Sequence, residues 1–296
     1  MKTKSKIFMA FILNLTFSIF ELFGGIFTGS VAILSDSIHD FGDATSIGTA
    51  FFLEKLSNKK PNNKYTCGYA RFSVLGALIT TLILLISSII VIYNAVFRII
   101  SPIIIDYDGM LIFAIIGLFV NIVATFCTHG GKSLNQKAVN LHMLEDVLGW
   151  LVVLIGSIII KFTCLYIIDP ILSILVAIFV IINAIKNLIE ITQIFLIETP
   201  KNIDINKIIK HVKEIDGVID AHHIHIWSID GEINLATLHL VVKEYDSNIK
   251  EKVKEELSEH GITHVTIEME TENENCKEKT CDIKQLEHKC NCHHHH

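Results

Sequence analysis

The chain has 296 residues, 51% of them hydrophobic and 19% charged, with a mean hydropathy of +0.49. That balance is too apolar for a soluble globular protein and describes a polytopic membrane protein followed by a smaller polar part. The net charge of −6 gathers late, in the Glu-rich stretch after Glu268; it argues against nucleic acid as a partner and suits metal cations.

In chain order, Lys2, Lys4 and Lys6 precede an apolar run from Ile7 to Phe27. This run is too long for a signal-peptide core, contains Asn14 and Glu21 and lacks a small-x-small cleavage site, so it reads as a retained first span. Segments able to cross about 30 Å of hydrocarbon are predicted at 7–27, 31–53, 72–100, 110–128, 134–160 and 170–196. The connections after the second and fourth spans carry Lys55, Lys59, Lys60, Lys64, Arg71, Lys132 and Lys137, against Arg98 and Lys161 on the other side. This asymmetry predicts a multi-pass protein of the cell membrane with both termini in the cytoplasm.

Within the second and fifth spans the same spacing occurs twice, as His39-x-x-x-Asp43 and His142-x-x-x-Asp146. Four residues is about one helical turn, so each pair shares a helix face. Ionisable groups at membrane depth are costly and mark ion or proton pathways. Two imidazoles and two carboxylates complete a tetrahedral zinc-type shell. Six spans make the second and fifth antiparallel, so that Asp43 falls level with His142 and His39 with Asp146. Asp36 and Asp40 lie near the same stripe, placed to line the approach or to substitute as ligands. Asn14, Glu21, Asn121 and Glu145 read as proton-path or helix-packing groups.

Beyond Thr199 the pattern becomes that of a small α+β domain. A helix is predicted over 204–215, strands over 218–227 and 233–242 around an Asp230-Gly231 turn, a helix capped by Asp246 or Ser247 and ending near His260, and a strand from His264 to Glu270. His222, His223 and His225 are expected to alternate along the first strand, with His223 facing away from the other two. The expected organisation is a transport domain over 1–198, a soluble domain over 199–270, and a disordered tail over 271–296 carrying Cys276, Cys281, Cys290, Cys292 and terminal histidines. The cysteine spacing suits free thiols that scavenge metal, or an inert charged end, better than a disulfide framework.

Four stretches of the chain resemble the cation diffusion facilitator family, in particular its zinc-transporting bacterial members. They are Glu21–Asp43, Tyr65–Leu78, Asn140–Asp146 and His223–Ser228. Cys67 stands where the family more often has Phe. The resemblance implies a six-helix membrane domain and a C-terminal ferredoxin-like cytoplasmic domain that dimerises and binds further metal. It implies a homodimer that exports Zn²⁺ in exchange for H⁺, with His39, Asp43, His142 and Asp146 as transport ligands. By the same resemblance His222, His239 and His264 are the cytoplasmic metal ligands. The loop Lys55–Lys64 holds no His, Asp or Cys, so the loop metal site of some members is expected to be absent.

Chemistry agrees with that expectation. Two carboxylates balance the charge of Zn²⁺, and protonation of the imidazoles balances the site after release, so proton and metal compete. The His₂Asp₂ shell suits Zn²⁺, then Co²⁺ and Cd²⁺. No phosphate-binding loop accompanies it, which points to secondary transport with no cofactor. The competing readings are a transporter of the same fold preferring Fe²⁺, Co²⁺ or Cd²⁺, an intramembrane metalloenzyme using Glu145 as base, and a metal sensor that does not transport. A zincin-type His-Glu-x-x-His motif is missing and four protein ligands leave little room for an activated water, so enzyme chemistry is not expected.

Overall fold

The computed structural model describes residues 3–28, 31–100, 107–130, 133–163, 167–272 and 274. The expected tail beyond 274 and Cys164 lie outside the described residues. The chain divides into two compact units, Met1–Phe195 and Leu196–His296.

The described residues of the first unit form six long helices: α1 (Thr3–Thr28), α2 (Val31–Ser57), α3 (Arg71–Ile100), α4 (Tyr107–Thr128), α5 (Leu134–Thr163) and α6 (Ile168–Phe195). Among the described residues four stretches, Thr3–Gly24, Arg71–Ile100, Leu134–Gly156 and Pro170–Phe195, are long and apolar enough to cross a membrane. In α2 the three aspartates Asp36, Asp40 and Asp43, with Glu54 and Lys55, lower the mean hydropathy. The apolar stretch of α4 is the shorter Ile115–Thr128. Phe20, Phe23, Ile86, Ile90, Phe119 and Phe126 stand exposed on the outer faces, the reverse of a helix that turns polar residues to water.

Inside, small residues let the helices approach. Ala10 of α1, Ala50 of α2, Ala124 of α4 and Val139 and Met143 of α5 share one buried cluster with Ile7 and Ile47. Val74 and Ala77 of α3, Leu134 and Ala138 of α5 and Ile191 of α6 share another. At Gly117 of α4 an added Cβ would lie 2.6 Å from Trp150 Cε2 and 2.8 Å from Phe17 Cζ, so α4 meets α1 and α5 there by backbone.

One end of the bundle is pinned by polar groups. The Glu54 carboxylate, 5% exposed, accepts from Ser73 Oγ at 2.7 Å and from Asn135 Nδ2 at 3.1 Å. Asn135 Nδ2 also donates to the Ala50 carbonyl at 2.9 Å. The knot joins the end of α2 to the starts of α3 and α5, where unsatisfied polar atoms would be costly.

The second unit comprises α7 (Ile205–Lys213), β1 (Val218–Ser228), β2 (Asn234–Val242), α8 (Ser247–Glu259) and β3 (His264–Thr271). The strands form one sheet in the order β1-β2-β3, β1 antiparallel to β2 and β2 parallel to β3. The Asp204 carboxylate caps α7 by accepting from the Asn206 and Lys207 amides, and Asp246 caps α8 by accepting from Asn248. Ile208 and Val212 of α7 and Ile249, Val253 and Leu257 of α8 bury one apolar face against Ala221, Ile226, Leu238, Leu240 and Ile267 of the sheet. Gly217, at φ +93°, lies so close to α8 that a Cβ would stand 2.5 Å from Ile249 Cδ1.

Candidate metal centre

The contacts of Asp43 with His142, and of Ala50 and Glu54 with Asn135, run in opposite chain directions, so α2 and α5 are antiparallel. Asp43 Oδ1 sits 3.5 Å from His142 Nε2, with His142 1% exposed and the Asp43 side chain 7%. Asp146, one turn further along α5, offers a carboxylate oxygen within 4.8 Å of both. Its Oδ2 accepts from Asn14 Nδ2 of α1 at 3.4 Å. Glu145 Oε2 lies 3.9 Å from His142 Nδ1, and its Oε1 accepts from Ser88 Oγ of α3 at 3.0 Å. Neither ring nitrogen of His142 has a hydrogen-bond partner among the described residues. A buried imidazole left so is costly in hydrocarbon surroundings, and a cation between it and the two aspartates removes the cost. His39 lies on α2 one turn before Asp43; its side chain, like that of Asp36, is outside those described.

A second group forms in the α+β unit. His222 of β1 pairs with His239 of β2, and His239 with Glu268 of β3. His239 Nδ1 hydrogen-bonds Glu270 Oε1, while Glu270 Oε2 lies 3.7 Å from His222 Nε2. His222, His239 and Glu270 thus converge two imidazoles and a carboxylate, and neither nitrogen of His222 has a hydrogen-bond partner among the described residues. This nitrogen-nitrogen-oxygen donor set fits a borderline cation such as Zn²⁺. His264 opens β3, exposed and level with Leu235, and is not brought into the group. Glu270 takes part instead, and the parallel β2–β3 register that brings it there has no local sequence signal.

The strand does not alternate through its histidines as expected. His222 opposes His239 and His225 opposes Thr237, so His223 and Ile224 share one partner position. This is a β-bulge, with His223 at φ 52°. The extra residue brings the His223 ring to stack on His239, with centroids 4.7 Å apart. Burial, then the neighbouring imidazoles of His223 and His239, hold His225 below the usual histidine range. Burial opposes ionisation of Asp220, and the Lys213 ammonium, 2.7 Å away, outweighs it and keeps that carboxylate below its ordinary value.

Both units match known protein families. Residues 7–196 match the cation efflux transmembrane domain, and residues 200–272 match the cytoplasmic domain of cation efflux proteins. The chain is 36% identical to a "Cadmium, cobalt and zinc/H(+)-K(+) antiporter" of Bacillus subtilis, over 99% of this chain and 97% of that one. It is 35% identical to the "Zinc transporter ZitB" of Yersinia pseudotuberculosis, over 98% and 95%. With the "Metal cation efflux system protein CzcD" of Cupriavidus metallidurans it shares 31%, over 88% and 85%. A membrane helix bundle bearing buried metal-type ligands, joined to an α+β unit and alike over its length to metal transporters rather than enzymes, places this chain in the cation diffusion facilitator family of cation efflux transporters.

Proposed function

We propose that the protein exports Zn²⁺ from the cytoplasm in exchange for H⁺, accepting Co²⁺ and Cd²⁺ as well. The transport site on this reading is His39 and Asp43 of α2 with His142 and Asp146 of α5. The observation that carries it is the 3.5 Å approach of Asp43 to His142 across two helices, with Asp146 beside them. The six helices of the first unit are six spans, with both termini cytoplasmic in the cell membrane. The transport domain covers 1–198 and a ferredoxin-like domain 199–270, the latter serving a homodimer.

Two carboxylates neutralise the divalent ion, so the loaded site suits a low-dielectric bundle. Release leaves uncompensated negative charge, which protons on the imidazoles offset. Metal and proton therefore exclude each other, and a proton gradient drives efflux. Asn14 and Ser88 steady Asp146 and Glu145 around the ion. In the cytoplasmic domain His222 and His239, joined here by Glu270, would hold a resident Zn²⁺ that ties β1, β2 and β3 together.

The test is Zn²⁺ uptake into proteoliposomes under an imposed pH gradient, with and without K⁺, since one relative is named for both counter-ions. The expected result is gradient-driven uptake that needs no K⁺ and falls at least a hundredfold in folded Asp146→Asn. Zinc that binds without crossing, or a mutant that transports like the native chain, would overturn the proposal.

A further inference from the structure

A third cluster, sharing no residue with either group above, lies where α7 and α8 meet. His211 in the last turn of α7 places Nδ1 2.8 Å from Glu256 Oε1 on α8. His260, four residues after Glu256, brings Nε2 to 3.2 Å from the same oxygen and to 3.1 Å from His211 Nδ1. The three ligand atoms make a nearly equilateral triangle. In tetrahedral zinc with bonds of about 2.0–2.1 Å, adjacent ligands stand about 3.3–3.4 Å apart. Each edge is therefore within roughly half an ångström of what an ion requires, without moving either helix.

Ring protons can bridge two edges of this triangle but not all three at once. A neutral imidazole carries one N–H, so the third edge is left with two lone pairs or two N–H groups side by side. A cation at the centre accepts all three lone pairs at once. The site also collects negative potential, because His211 lies in the last turn of α7 and His260 is the C-cap of α8, where helix dipoles favour positive charge. The side chains of His211, Glu256 and His260 are 34%, 26% and 17% exposed, which leaves water access to a fourth position.

We infer that His211, Glu256 and His260 form a further metal site, which takes one Zn²⁺ or Co²⁺ ion through two imidazole nitrogens and one carboxylate oxygen. The bound ion clips the end of α7 to the end of α8. It uses no transport ligand and none of His222, His239 and Glu270, so its occupancy is independent of flux.

The test uses the full chain in detergent, stripped with chelator and returned to Zn²⁺. Hydrogen exchange is expected to slow at the last turns of α7 and α8 on zinc addition, and equilibrium dialysis to count one ion fewer per chain in His260→Gln. His211→Gln is expected to lose the same single ion, and the double variant no more than either alone. Asp146→Asn is expected to leave the zinc-dependent protection of α7 and α8 intact. Native chain that shows no such protection overturns the site whatever the variants do. So does an unchanged ion count in folded His260→Gln and His211→Gln, which would make the cluster a hydrogen-bonded surface group.

Discussion

Replacing Gly117 with alanine tests the helix packing that holds the membrane site. The new Cβ would stand 2.6 and 2.9 Å from two Trp150 ring carbons and 2.8 Å from Phe17 Cζ. Carbon atoms rest at about 3.5–4.0 Å, so the rings must yield by roughly 0.7–0.9 Å. They also pack edge to face, centroids 5.8 Å apart at 84°, so displacing one disturbs the other. Overpacking of this kind costs about 1–3 kcal/mol. Gly149→Ala on α5 is the matched control, because nothing lies within 4 Å of its Cβ position and both substitutions gain the same helix propensity. For a unit the size of Met1–Phe195, 1 kcal/mol moves Tm by about 2–4 °C, so the two variants should differ by about 2–12 °C. Thermal unfolding in detergent, followed by tryptophan fluorescence, reads this directly. Trp150 lies one turn past Asp146 and Phe17 one turn past Asn14, so Gly117→Ala is also expected to slow zinc flux while Gly149→Ala does not. Equal melting temperatures for the two variants would refute the close approach of α4 to α1 and α5.

Other outcomes follow from the α+β unit. Asp246→Ala removes the acceptor for the Asn248 amide and is expected to cost about 1 kcal/mol, seen as faster hydrogen exchange in the first turn of α8. Gly217→Ala combines a φ of +93° with a 2.5 Å approach to Ile249 and is expected to cost more than about 1 kcal/mol. Ile249→Ala in the same chain should recover the steric part, giving a non-additive double-mutant cycle. Tyr245 donates to Glu274 at 2.6 Å, and that bond, then desolvation and the charge of Glu274, raise its pKa above the ordinary tyrosine value. Its contribution is present below the unfolded tyrosine pKa and is lost as pH rises through the raised value. Ultraviolet titration should show one late-ionising tyrosine that Glu274→Gln returns to normal; an unchanged titration would refute the bond.

Elements with a strong local signature were legible in the chain. The predicted 72–100 became Arg71–Ile100, and the order helix-strand-strand-helix-strand after residue 199 was laid out by the Asp246 cap, the Asp230-Gly231 turn and periodic apolar residues. Features that depend on register were not. Nothing near His223 announces that it takes a positive φ, and the resulting bulge is what stacks it on His239. Glu270 stood in the sequence only as the end of a predicted strand, because its place beside His239 comes from a parallel pairing across a helix. The His211 cluster was half legible: Glu256 and His260 repeat the four-residue spacing of the membrane motif, but His211 arrives from a helix more than forty residues earlier. Asp43 and His142 come from different helices too, yet the antiparallel order of spans made their level predictable, since a helix pair has one axial register to fix.

The polar knot around Glu54 gives the membrane unit a fulcrum. From Glu54 back to Asp43 is eleven residues of helix, and from Asn135 forward to His142 is seven, so the site stands about 17 Å and about 11 Å along the two helices from where they are tied. With that end held by Ser73 and Asn135, a tilt of α2 by about 10° swings Asp43 through about 3 Å, more than the length of a zinc–ligand bond. On the proposed transport site, a rocking motion too small to disturb the tied end would thus be enough to take a carboxylate out of reach of an ion held by His142.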